Sequence, residues 1–231
     1  METSRADLVG RLQKLSPTVI SDVLDVSGYT EQSLSGTIRP LTPTMRLAGP
    51  ALCFSGVSET PGDATSALNS YEIDQRIAPG MVVLIATNGH TVSSVVGGLM
   101  ALSFAKKQCG GIVSDGGVRD IAEITALELP TFCRYVTPLN SSRRWKMTTA
   151  DSAIDLPGQA SAIVRVTPGD LVIGDADGVM VIPLAIASDV IEWAEHLSAI
   201  EERIVAGLNA GTPRDQVFAA NPRFEHIRRL K

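Results

Sequence analysis

The chain has 231 residues, 44% of them apolar and 19% charged, with a formal net charge of -5. That balance excludes a disordered chain, and an acidic sequence with no basic block is a poor candidate for binding nucleic acid through general electrostatics. Aromatic residues make up only 4%, so the core has to be built from Val, Ile, Leu and Ala.

Leu8, Leu12 and Leu15 repeat at helical spacing, and the segment around them reads as a mixed polar helix rather than a signal peptide. Ser16 and Pro17 are suited to capping and opening a second helix, with Gly28 just past its end. Residues 47–57 read as a strand or strand pair. Residues 61–78 open with Pro-Gly-Asp and continue as a helix, and the short apolar run at 81–86 suits a buried strand. Gly97-Gly98 precede a helix with Leu99, Leu102 and Ala105 on one face, closed by Gly110-Gly111 in the manner of a C-cap. A strand at 111–114, a turn at Asp115-Gly116-Gly117, a helix from about Arg119-Asp120 and a strand at 131–137 follow. Residues 161–183 alternate as two or three antiparallel strands with turns at 168–170 and 175–178, and a long helix fills 184–208.

The expectation is a single α/β domain over residues 1–231 with a mixed sheet, its C-terminal helix and tail beginning near 184. Cys53, Cys109 and Cys133 form no CxxC, which points to reduced thiols and a cytoplasmic protein. No apolar run reaches the roughly 18 residues of a membrane span, so no membrane partner is expected.

Two segments carry chemistry. The helix start at Gly97, Gly98, Leu99 and Met100 exposes unpaired N–H groups that attract a carboxylate or phosphate; the alternative is glycine required only by helix–strand packing. In DGGVRD (115–120), Arg119 offers a forked cation for a carboxylate or carbonyl oxygen, and Asp120 an oxygen ligand for a hard divalent metal. The structural alternative there is an N-cap Asp paired with Arg. The DxDG of 175–178 lacks the further ligands of a calcium loop and reads as a hairpin turn. His90, His196 and His226 have no zinc-site spacing, and His90 reads as a surface-loop residue.

GGLMALSFAKKQCGGIVSDGGVRDIAEI (97–124), LSPTVISDVLDVSG, IRPLTPTMRLAGPALCF, the PGD at 61–63 and PGDLVIGDADGVMVIP, in this order, resemble the RraA-like family. That family includes 4-hydroxy-4-methyl-2-oxoglutarate / 4-carboxy-4-hydroxy-2-oxoadipate aldolases and a regulator of ribonuclease E. The resemblance implies a swivelling β/β/α-type fold and a homotrimer or homohexamer with sites between subunits. It also implies a divalent cation, Mg²⁺ or Mn²⁺, held by Asp120. Arg119 would contact the pyruvate portion of the substrate, and the amides of Leu99 and Met100 its carboxylate. The family's aldolases carry a D-x20-R-D pattern whose first Asp holds metal-bound waters; that position here is Gly98. A Glu from a neighbouring subunit's C-terminal helix assists in some members, and Glu201 and Glu202 are the candidates.

The resulting expectation is a metal-dependent aldolase with oxaloacetate decarboxylase activity, a class II type lyase acting on a short carboxylated 2-oxo acid. Both reactions leave charge on a pyruvate unit, which a cation and Arg119 stabilise; the general base is unassigned. The rivals are a non-catalytic regulatory binding protein and a lyase or isomerase for another 2-oxo acid.

Overall fold

The computed structural model describes residues 4–60, 62 and 64–230. Pro61 and Asp63 of the PGD segment lie outside them.

The N-terminal helices form where the sequence places their caps. Helix α1 (Arg5–Leu12) starts at Ser4, whose hydroxyl accepts the Asp7 N–H. Helix α2 (Pro17–Ser27) starts at Ser16, whose hydroxyl accepts the Val19 N–H, and ends at Gly28 in the left-handed region at φ 100. Their buried Leu8, Leu12, Ile20, Val23 and Leu24 pack against Val190, Ile191, Ala194 and Leu197 of the long helix α6 (Ala187–Asn209). Truncating Ile20 or Leu24 to Ala here should cost about 2–5 kcal/mol. A shorter helix, α7 (Arg214–Ala220), follows α6.

The central sheet is mixed and eight-stranded. Strand β2 (Leu47–Ser58) runs parallel to β3 (Val82–Ala86), β3 to β5 (Gly111–Ser114), and β5 to β7 (Thr131–Cys133). The short β1 (Arg39–Pro40) closes one edge antiparallel to β7. On the other side β2 pairs antiparallel with β12 (Leu171–Asp175), which forms a hairpin with β13 (Gly178–Ile182). Across an irregularity at Ser55/Gly56, β2 also pairs antiparallel with β9 (Trp145–Ala150). Along β3, Val82, Leu84 and Ala86 enter one core while Val83 and Ile85 enter another. Both faces are covered, which is why this strand reads as an unbroken apolar run. This is the mixed-sheet, swivelling β/β/α arrangement expected from the resemblance.

The structure corrects several element expectations. Of the strand or strand pair expected at 47–57, the structure has the single strand β2. The helix expected within 61–78 is confined to α3 (Ser70–Asp74). Strand β11 (Ile163–Val166) pairs with β10 (Ile154–Pro157), not with its sequence neighbour β12. The segment 131–137 divides between two sheets: β7 joins the large one, whereas β8 (Tyr135–Val136) joins a small parallel sheet with β4 (Ser94–Val96) and β6 (Gly117–Val118). In helix α4 (Gly98–Lys106) the apolar stripe faces outward: Leu99 is 83% and Leu102 40% exposed, while Ala101 and Phe104 are buried. Gln108 at φ 58, rather than Gly110, adopts the left-handed conformation after that helix. Gly110 instead permits a close approach, since a Cβ there would lie 2.6 Å from the carbonyl oxygen of Gly80.

Candidate active site

The parallel strands β3 and β5 end side by side, and the loops beyond their carboxyl ends build the site, the usual place for ligands in an open α/β sheet. The buried Asp115 binds these loops together by accepting the Thr87 N–H at 2.7 Å. Burial pushes its carboxyl above the usual range, opposed by that hydrogen bond. The Ser114 hydroxyl donates to the Ile85 carbonyl at 3.1 Å and accepts the Gly116 N–H at 3.0 Å. Strand β6 then runs beside β4, and the Arg119 N–H donates to the Val96 carbonyl at 3.1 Å. Arg119 and Asp120 are thereby set directly against the start of α4.

Helix α5 begins one residue later than expected, as Ile121–Ala126, because Asp120 occupies the left-handed region at φ 62 and ψ 44. A left-handed Asp is tolerated because its short polar side chain finds a local partner. Here that partner is the Gly98 N–H, which donates to Asp120 Oδ2 at 2.9 Å. Arg119 Nε lies 3.4 Å from the same oxygen, the two side chains being 38% and 34% exposed. The structure therefore contains both the Arg–Asp pair and the helix-terminus contact, but the helix that Asp120's side chain caps is α4, not its own.

The start of α4 has no side-chain cap of its own. The first intrahelical bond there is Ala101 N–H to the Gly97 carbonyl at 3.0 Å. With Gly98 N–H taken by Asp120, the Leu99 and Met100 N–H groups have no intrahelical acceptor and are free for an anion. A Cβ on Gly97 would come within 2.9 Å of Arg119 Nε and 3.1 Å of Asp120 Oδ2. One on Gly98 would collide with Glu123 Oε2 and lie 3.2 Å from the Asp120 Cβ. The paired glycines thus open the space that Arg119, Asp120 and Glu123 occupy. The terminal nitrogens of Arg119 carry no hydrogen bond among the described residues.

For a divalent cation the donor chemistry fits. Asp120 and Glu123 are hard oxygen donors on one partly exposed turn beside a glycine cradle, though among the described residues no group of three possible ligands converges. Water and substrate oxygens would complete such a shell. Glu123 was not singled out from the sequence; its one signal is the D-x-x-E spacing with Asp120.

Other expectations come out differently. His90 is not a surface-loop residue but is 4% exposed, held between Ser58 and Ser93. Glu201 is engaged by Arg223, which also pairs with Asp22, and Glu202 lines a separate cleft with Lys14 and Arg46. Within one chain neither belongs to the Arg119–Asp120 site. The DxDG is a hairpin turn, with Asp175 Oδ1 accepting the Asp177 N–H at 2.9 Å. All three cysteines are free and buried; burial pushes the Cys53 thiol up to about 12 and that of Cys133 to about 11. Among the described residues no helix is long and apolar enough to cross a membrane.

Comparison with known proteins gives a consistent family. A protein of Halalkalibacterium halodurans named "Putative 4-hydroxy-4-methyl-2-oxoglutarate aldolase" is 34% identical over 204 residues, spanning 87% of this chain and 89% of that one. One of the same name from Cupriavidus necator is 31% identical over 71% of this chain and 94% of its own. In structure, RraAS2 of Streptomyces coelicolor, described as an unusual member of the RNase ES inhibitor RraA protein family, superposes with a TM-score of 0.76. It is 26% identical and covers 87% of this chain and 97% of its own. An uncharacterized protein of Pseudomonas syringae pv. tomato shares the fold with a TM-score of 0.80 at 22% identity, over 94% of this chain and 99% of its own. The RraA-like family profile, described as Aldolase/RraA, matches residues 18–181, and the chain belongs to that family.

Proposed function

We propose that this chain is a divalent-metal-dependent lyase that breaks a carbon–carbon bond to release pyruvate from a short carboxylated 2-oxo acid. A 4-hydroxy-4-methyl-2-oxoglutarate-type substrate is favoured, with oxaloacetate decarboxylation at the same site. The carrying observation is the convergence of Arg119 and Asp120 on the open start of α4, where the Gly98 N–H meets Asp120 Oδ2 at 2.9 Å.

The chain's own groups divide the work. The Leu99 and Met100 N–H groups bind the substrate's 1-carboxylate at the positive end of the α4 dipole. Arg119, whose Nε lies beside Asp120, turns its free terminal nitrogens toward the keto oxygen and stabilises the charge that develops there. Asp120 would hold Mg²⁺ or Mn²⁺, which when bound supplies Lewis-acid polarisation of that oxygen. Gly97 keeps the floor low enough for the reacting carbon to approach.

A homotrimer or homohexamer completes the site in this reading. Its support is apolar surface beside the site: Leu99 at the start of α4 and Val136, which pairs with Val118 next to Arg119, are both more than half exposed.

The test is pyruvate release from oxaloacetate and from 4-hydroxy-4-methyl-2-oxoglutarate, with Mg²⁺, with EDTA, and after Mg²⁺ is restored. Turnover that EDTA abolishes and Mg²⁺ restores is the expected result. No pyruvate from either substrate with Mg²⁺ or Mn²⁺ would overturn it. That outcome would favour the second reading, a non-catalytic regulator, which the likeness to RraAS2 supports.

A further inference from the structure

We propose that Glu123 supplies the second carboxylate of the cation site, reaching from α5 into the space that Gly98 leaves open. The proposal rests on the reading of Asp120 as a cation-binding carboxylate.

The D-x-x-E spacing of Asp120 and Glu123 is that of a capping box, in which each side chain bonds the other's backbone N–H. The chain contains a working example. At the start of α3 the Asn69 N–H donates to Glu72 Oε2 at 2.8 Å, and the Glu72 N–H to Asn69 Oδ1 at 2.9 Å. Helix α5 has the same spacing and makes neither bond: its N-cap is left-handed and forms no side-chain cap. Both carboxylates are thereby released from capping α5. That of Asp120 turns to Gly98, and that of Glu123 extends beside the same glycine.

The carboxylate of Glu123 occupies the space that a side chain at position 98 would take. A Cβ there would collide with Glu123 Oε2, an atom with no hydrogen bond or ion pair among the described residues. Glu123 is exposed, so helix packing gives no reason for its carboxylate to lie over a neighbouring helix start. Glu123 thus lies with Asp120 at the same helix start, delivered from α5. Charge agrees: two carboxylates and one guanidinium border this helix start, an excess of negative charge that a divalent cation would neutralise.

Binding of Mn²⁺ to the intact protein, followed by the electron paramagnetic resonance of the free ion, tests this without relying on turnover. Glu123→Gln, which keeps size and removes charge, should weaken Mn²⁺ binding by about 10–100-fold, the range for losing a supporting ligand, with an unchanged melting temperature. Asp120→Asn should weaken it at least as much. The double variant Gly98→Asp with Glu123→Ala should bind Mn²⁺ more tightly than Glu123→Ala alone, since it returns a carboxylate to the vacated space. If Glu123→Gln binds Mn²⁺ like the wild type while Asp120→Asn does not, the role of Glu123 is wrong and that of Asp120 stands. If both variants bind like the wild type, or the wild type binds no Mn²⁺, the reading of Asp120 fails and this proposal with it.

Discussion

The carboxylate of Asp120 accepts the backbone N–H of Gly98 at 2.9 Å, joining the start of one helix to the residue that precedes the next. One oxygen therefore serves stability and, in the proposed function, cation binding, and two substitutions separate them. Asp120→Asn keeps an acceptor for Gly98 and a residue type that tolerates φ 62, so its melting temperature should stay within a few degrees of the wild type. Asp120→Ala also removes the cap of α4, at a cost of about 1 kcal/mol or about 2–4 °C. Both should lose Mg²⁺-dependent pyruvate release, measured with oxaloacetate. Wild-type turnover in Asp120→Asn would remove this residue from the cation site.

Arg119 should act on the transition state more than on ground-state binding. Its terminal nitrogens carry no hydrogen bond among the described residues, and charge reaches the keto oxygen only as the bond breaks. Arg119→Lys keeps the charge but loses the fork. Steady-state kinetics should show kcat falling by on the order of 10²–10³, with a smaller change in KM. A rise in KM alone would reduce Arg119 to uniform binding.

The sequence exposes those parts of this fold whose signals are local. Ser16, Pro17 and Gly28 bound α2 as their chemistry dictates, the run at 82–86 is a strand buried on both faces, and the 171–182 hairpin follows from its alternation and turn. The small β4–β6–β8 sheet is illegible because strands of two or three residues are too short to show a period. Leu99 and Leu102 mislead because an apolar stripe signals burial against some surface, not necessarily one in the same chain. At the site, Arg119 and Asp120 were visible as residue types in a turn. The left-handed Asp120 and the approach of Glu123 to Gly98 depend on how two helices meet, which no linear spacing encodes.

Gly97→Ala should separate positioning from folding. Its Cβ would meet Arg119 Nε at 2.9 Å and Asp120 Oδ2 at 3.1 Å, both on partly exposed side chains that can shift. The fold should survive with little change in melting temperature. A displacement of about 1 Å at the reacting groups costs about 10² in rate, so kcat should drop by that order. Unchanged kcat would mean the position of Arg119 near Gly97 is not critical.

Assembly should follow the outward apolar side chains. Multi-angle light scattering is expected to give a trimer or hexamer, and Leu99→Asp, which places a charge on a side chain 83% exposed in the single chain, should shift it toward smaller species. A wild-type monomer throughout the micromolar range would refute the proposed assembly.

His90 should make the fold sensitive to acid. Its Nε2 accepts the Ser93 N–H at 3.1 Å, and a backbone N–H can only donate, so the ring is neutral with its proton on Nδ1, facing Ser58 Oγ at 2.9 Å. Burial holds its pKa below the ordinary value of about 6.5. As pH falls through that value the unfolded chain takes up a proton before the folded one does. The contribution of His90 is therefore complete above about 6.5 and is lost progressively as pH drops toward the depressed folded value. Asp25 and Asp115, whose carboxyls are raised by burial, act with the opposite sign, stabilising less as pH rises from the ordinary carboxylate range. The difference between the wild type and His90→Gln isolates the histidine. In urea titrations His90→Gln should be the less stable at pH 7.5, and the gap should narrow by pH 5.5. Two parallel stability profiles would show that His90 does not titrate against folding.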